Sequence, residues 1–155
     1  MFIKYFISLF FIITLADDQK KFTRNFDSQG VLLSEGWTLN GQKTDFWTYY
    51  HINGRVAKKG HFDEGKKNGY WYFYSENSHL IKEGAYLDDR ANDWWIFYNE
   101  YGTLKIQFKS GMKNGLALVY QNSRLKKALR YDENKKIGEW TSYVKFKRDN
   151  PDLEF

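Results

Sequence analysis

The chain has 155 residues, 24 basic against 19 acidic side chains, one proline and no cysteine. That length suits a single domain, and the missing thiols exclude disulfides, thiolate metal sites and a cysteine nucleophile. Without cross-links, stability has to come from the aromatic side chains, 20% of the residues, which bury more area each than any other class.

Residues 1–16, MFIKYFISLFFIITLA, place Lys4 before an apolar run from Tyr5 to Ala16. The run is short against the ~20 residues of a membrane span, and it ends on small residues before Asp17. It reads as a secretory signal cleaved before Asp17, with an uncleaved N-terminal anchor as the alternative. The expected location is secreted, periplasmic or in the cell envelope, and a cysteine-free exported chain rich in Lys, Asn, Tyr and Phe points to a bacterium.

From residue 17 to 144 one phrase recurs. Its core is an aromatic segment: DFWTYY (45–50), GYWYFY (69–74), DWWIFY (93–98), GLALVY (115–120) and GEWTSY (138–143). The closing tyrosines Tyr50, Tyr74, Tyr98, Tyr120 and Tyr143 lie 24, 24, 22 and 23 residues apart. Such a period marks stacked supersecondary units, none of which buries its own apolar face. Subtracting one period from Tyr50 reaches Phe26, so the array starts near Phe22. Between the aromatic segments run a turn, an alternating stretch with one aromatic (Phe62, Tyr86, Phe108, Tyr131), and a second turn of the form G-K-x-x-G. Both glycines stand at Gly65–Gly69 and at Gly111–Gly115, the latter with Met112 in the lysine position. Asp or Asn replaces glycine at Gly41–Asp45, Asp89–Asp93 and Asn134–Gly138, residue types that also tolerate positive φ.

Short segments rich in Trp, Tyr, Phe and Ile between Gly/Asn/Asp clusters favour strands over helices. The expected fold is all-β: an elongated, twisted, open antiparallel meander of tandem hairpins with about eleven short strands. Alternation then sets two faces. Trp47, Trp71 and Trp95, joined by Trp140, share one face as an aromatic ladder, with Ala117 interrupting it. Tyr70, Tyr72 and Tyr74, with Trp94 and Tyr98, share the other. Residues 145–155, with Pro151, cannot continue the pattern and read as a cap or a flexible tail.

These phrases resemble the MORN-repeat family, and more closely the bacterial variant found in YwqK-like antitoxins. Residues 69–95, GYWYFYSENSHLIKEGAYLDDRANDWW, follow that unit well, and five units between about 36 and 143 follow it in part. The resemblance implies an open ribbon of hairpins and a role in scaffolding, membrane-lipid contact or toxin neutralisation.

Catalytic and metal constellations are sparse. His51, His61 and His79 lack ligand spacing. Ser75 or Ser78 beside His79 has no nucleophile motif, and the carboxylates Asp63, Glu64, Asp88, Asp89, Asp93, Asp132 and Glu133 fall in turns. Asp88, Asp89 and Asp93 offer at most a weak Ca²⁺ site against ordinary turn chemistry. No catalytic residue, cofactor or metal is expected, and the chain reads as non-enzymatic. Residues 109–136 hold eight basic side chains against Asp132 and Glu133, so Lys113, Arg124, Lys126 and Lys127 form the candidate basic patch. The turn lysines elsewhere are balanced by acids, which argues against a continuous polybasic stripe; with the leader, this also argues against nucleic acid. The favoured function is protein–protein scaffolding through Trp47, Tyr70, Trp71, Tyr72, Tyr74, Trp94, Trp95 and Tyr98. A glycan- or anionic-lipid-binding module and an antitoxin-like inhibitor are the alternatives.

Overall fold

The computed structural model describes residues 19–153; the leader read over residues 1–16 lies outside them. Eleven strands follow in order: β1 (Lys20–Phe26), β2 (Leu32–Leu39), β3 (Gln42–Tyr50), β4 (Val56–Asp63), β5 (Lys66–Tyr74), β6 (Leu80–Leu87), β7 (Arg90–Asn99), β8 (Gly102–Lys109), β9 (Met112–Gln121), β10 (Arg124–Asp132) and β11 (Lys135–Trp140). They form one antiparallel sheet in which every strand pairs with its neighbours in sequence. This is the open meander of hairpins expected from the repeat. At ~4.8 Å per strand the sheet is ~50 Å across, about twice the length of its strands.

The strands are 6–10 residues long, longer than the aromatic segments alone, because the G-K-x-x-G phrase is not one turn. Its first position closes a two-residue hairpin with both residues at positive φ, as at Asn40–Gly41, Glu64–Gly65, Asp88–Asp89, Ser110–Gly111 and Glu133–Asn134. Such turns match the twist of the flanking strands. The second position lies inside the following strand and marks a β-bulge. Gly36 faces Trp47 while Trp37 faces Thr44, leaving Asp45 and Phe46 as extra residues. β5, β7 and β9 each insert two residues in the same place. Asp45, Gly69, Asp93 and Gly115 sit there at positive φ, so the Gly/Asp signature at this site serves the bulge.

The turn tips are stapled along one side of the sheet. The N–H groups of Gly65, Asp89, Gly111 and Asn134 donate to the carbonyls of Lys43, Lys67, Ala91 and Lys113, one hairpin back, at 2.8–3.0 Å. Where the tip is Asp89 or Asn134, its side-chain oxygen also accepts from the Lys67 or Lys113 N–H, at 3.0 and 2.9 Å. Asp89 is therefore a structural staple. Among the described residues, no three His, Cys, Asp or Glu side chains gather as a metal site. His51 is likewise structural, its Nε2 lying 3.0 Å from the Tyr74 carbonyl of the next hairpin.

The C-terminal segment forms a short helix, α1 (Tyr143–Asp149), so the sheet ends at Trp140. Phe146 is 1% exposed and packs against Leu116, Leu118 and Ala128. Trp140 Nε1–H donates to Asp149 (2.9 Å), and the Arg130 guanidinium donates to Asn150 Oδ1 (3.0 Å). The helix covers the last strands on one face only.

Candidate functional site: two unlike sheet faces

Cross-strand register carries a single row across one face: Gly36, Trp47, Gly60, Trp71, Gly84, Trp95, Ile106, Ala117 and Leu129. Each of the first three tryptophans lies flat over the glycine of the preceding strand. A Cβ built on Gly36, Gly60 or Gly84 would meet the Trp47, Trp71 or Trp95 indole at 2.4 Å. Each indole N–H then donates to the carbonyl of the residue after that glycine: Trp37 (2.7 Å), His61 (3.0 Å) and Ala85 (2.9 Å). Flat stacking on bare backbone explains how an open sheet without a second layer keeps these rings at 1%, 0% and 3% exposure. In the fourth hairpin the pair is exchanged rather than lost, since Ile106 takes the glycine's place and Ala117 the tryptophan's. Both are buried.

Edge-to-face contacts tie the row into a ladder. Phe62 meets Trp71 at 5.1 Å and Tyr86 meets Trp95 at 4.9 Å, with Tyr49, Phe73 and Phe97 tilted against the same indoles. Trp47, Trp71 and Trp95 are thus core. Having no free ring face, they do not form a contact surface, contrary to the expectation that placed them in the binding site.

Lysines roof this ladder. Lys43 Nζ stands 4.6 Å from the Trp47 ring and 5.0 Å from Tyr49, and it donates to the Tyr49 hydroxyl at 2.7 Å. Lys58 stands 4.6 Å from Tyr49, Lys67 4.6 Å from Tyr86, and Lys82 4.6 Å from Phe73. Their ammonium groups stand over the ring faces, at cation–π distance. Burial lowers the Lys58 pKa, and the charges of Lys67, Lys43 and Lys82 lower it further.

The opposite face carries a different row: Glu35, Thr48, Lys59, Tyr72, Glu83, Ile96, Lys105, Leu118, Ala128 and Trp140. Charge alternates along it, each charged side chain meeting a closing tyrosine. Tyr50 donates to Glu35 (2.6 Å) and Tyr98 to Glu83 (2.5 Å). Lys59 sits 5.8 Å from both Tyr72 and Tyr74, and Lys105 5.4 Å from Tyr120. Burial, with the carboxylate hydrogen bond next, pushes the Tyr50 and Tyr98 phenols up to about 12. Tyr50 and Arg24 in turn hold Glu35 below the usual carboxylate range.

Tyr70 and Tyr72 pack at 5.2 Å between ring centres, and Tyr70 is 40% exposed. Trp94 is half-buried against the Leu116, Leu118 and Phe146 cluster. Tyr70, Tyr72, Tyr74, Trp94 and Tyr98 therefore share this face, as their alternation implied. Trp140 belongs here too, which corrects its placement in the ladder. β11 inserts only one residue at its bulge, between Arg130–Gly138 and Tyr131–Lys136, and a slip of one residue turns a side chain to the other face.

The basic stretch 109–136 does not assemble into one patch. Lys127 and Lys136 both pair with Glu139 at 2.7 Å, Arg130 is bound to Asn150, and Lys113 covers Tyr131 at 5.3 Å. Arg124 and Lys126 are exposed near the hairpin tip. The grouped lysines, Lys43, Lys58, Lys67 and Lys82, come instead from β3, β4, β5 and β6. They escape a count of turn charges because Lys58 and Lys82 lie inside strands. No known family model matches the chain, and no curated protein matches it at a significant level.

Proposed function

We propose that the chain is a non-enzymatic MORN-like repeat scaffold of the bacterial envelope that holds a protein partner against its tyrosine face. The observation that carries this reading is the patch of Tyr70, Tyr72, Trp94 and Tyr98 on a rigid sheet. The cluster built on Phe146 of α1 packs against its Trp94 end, Tyr70 is 40% exposed at the other, and Glu83 orients the Tyr98 hydroxyl. Tyrosine and tryptophan supply large contact areas with few torsions to freeze, and they dominate the energetic centres of protein interfaces. Lys59 and Glu83 beside them offer charges of both signs for orienting a partner.

Envelope placement rests on the leader, and mass analysis of the exported chain tests it: cleavage leaves a protein that starts at Asp17. Among the described residues, no helix is long and apolar enough to cross a membrane. The binding role is tested by quantitative cross-linking capture from the envelope fraction. Wild type is compared with the Tyr70→Ser/Tyr72→Ser double variant. A protein enriched on wild type and lost on the variant is expected; identical capture on both, or none on either, overturns the proposal.

A further inference from the structure

The tryptophan face poses a separate question, because its lysines gather over aromatic rings with no carboxylate paired to them among the described residues. Lys43, Lys58, Lys67 and Lys82 are half-buried over one stretch of ladder. None of them is in a salt bridge among the described residues, whereas Lys20, Lys66, Lys127 and Lys136 are. Lys43 and Lys58 both approach one tyrosine ring, Tyr49, at 5.0 and 4.6 Å. Lys67 and Lys82 hold the equivalent strand positions one hairpin on, where Lys67 stands 4.6 Å from Tyr86 and Lys82 4.6 Å from Phe73. Equivalent positions two strands apart are separated by ~10 Å, so the four ammonium groups form a two-by-two array that repeats across the strands. Bringing like charges together on partly desolvated stems is unfavourable, and an anion laid between them relieves it.

We propose that this array is a binding site for an acidic polysaccharide, with successive carboxylate or sulfate groups seated between Lys43 and Lys58 and between Lys67 and Lys82. Charge complementarity sets the sign, and the repeat across hairpins suits a polymer whose anions recur. Two features favour sugar over an acidic peptide. The sheet's backbone groups are consumed in strand pairing, and the Tyr49 hydroxyl already accepts from Lys43, so a peptide's amide groups would find few acceptors here. A peptide strand is better served by the open edges at β1 and β11. A sugar ring needs no such acceptors and can rest its C–H surface on the half-buried edges of Tyr49, Phe73 and Tyr86. An extended membrane plane is less well matched, because the equivalent positions in the next hairpin are Ala91 and Leu104.

The test is titration of the wild-type protein with polygalacturonate and heparin, beside neutral dextran, poly-glutamate and vesicles of phosphatidylglycerol. The comparison proteins are the double variants Lys58→Gln/Lys82→Gln and Lys43→Gln/Lys67→Gln, and Arg124→Gln/Lys126→Gln as a charge-matched control. Thermal unfolding verifies that each variant is folded. The expected result is binding to at least one acidic polysaccharide and none to dextran. Each array variant should weaken it by about tenfold per lysine removed, with the control within about twofold. The proposal is overturned by absence of binding to both acidic polysaccharides, or by an equal loss in the control. Tighter, array-dependent binding of poly-glutamate or vesicles also overturns it. Failure here leaves the tyrosine-face reading untouched, since none of these substitutions lies on that face.

Discussion

Adding one methyl group at Gly60 tests how this open sheet makes a core. Gly60 has no positive φ to relieve, so the substitution Gly60→Ala acts through crowding alone. Its Cβ would lie 2.4 Å from the Trp71 indole, and Trp71 is fully buried. The ring has to lift off the backbone. Overpacking of this kind costs about 1–3 kcal/mol, and loss of the 3.0 Å bond from the indole N–H to His61 adds about 1 kcal/mol. We expect about 2–4 kcal/mol in urea denaturation, with Tm falling by about 4 °C per kcal/mol. Gly41→Ala, where nothing lies within 4 Å but φ is +78°, should cost only about 1–2 kcal/mol. The sharper measurement is a double-mutant cycle that transplants the fourth hairpin's own solution. Trp71→Ala alone should cost about 3–5 kcal/mol, and Gly60→Ile at least as much as Gly60→Ala. Together they recreate the Ile106–Ala117 pair, so the double variant should be about 2 kcal/mol more stable than the sum of the singles. Additivity within about 0.5 kcal/mol would show that glycine and tryptophan are not packed as one unit, and the account of the core would fall.

Other consequences are more local. Phe146→Ala empties the contact with Leu116, Leu118 and Ala128 and should cost about 3–5 kcal/mol. Because stacked hairpins couple mainly to their neighbours, amide exchange should quicken in β9–β11 and stay slow in β3–β6; a uniform loss of protection would contradict this. Asp89→Ala removes an acceptor for the Lys67 N–H and leaves alanine at φ 63°, together about 2 kcal/mol in chemical denaturation. Asp89→Gly should cost about half as much, since Gly65 and Gly111 already serve at equivalent tips. Tyr50 and Tyr98 ionise near 12 in the fold against 10.0 ordinarily. Their raised values favour the neutral phenols, so their contribution to stability is whole below pH 10 and is lost as pH rises from 10 to about 12. Phenolate absorbance should keep rising to about pH 12, with one of its latest groups absent in Tyr50→Phe, while burial also raises Tyr70 and Tyr86; titration of every tyrosine near 10 would refute the burial and the carboxylate bonds of Tyr50 and Tyr98.

Much of this architecture is legible in the sequence because the interactions that build it are close along the chain. A hairpin meander pairs each strand with the next, so a 24-residue phrase of aromatic segment, turn, alternating segment and turn carries strand number, order and direction. The separation of Tyr70, Tyr72 and Tyr74 from Trp71 and Phe73 follows from the two-residue period alone. What needed the tertiary structure is set by counting residues within bulges and by what lies across the strands. Aspartate or glycine signals positive φ but not how many residues a bulge inserts. One insertion instead of two in β11 therefore turned Trp140 to the other face. Burial of Trp47, Trp71 and Trp95 depends on glycines more than ten residues away, which the sequence shows only as small residues in alternating stretches. The lysine array is drawn from positions 15 and 24 residues apart, and only the strand register brings those ammonium groups over the same rings.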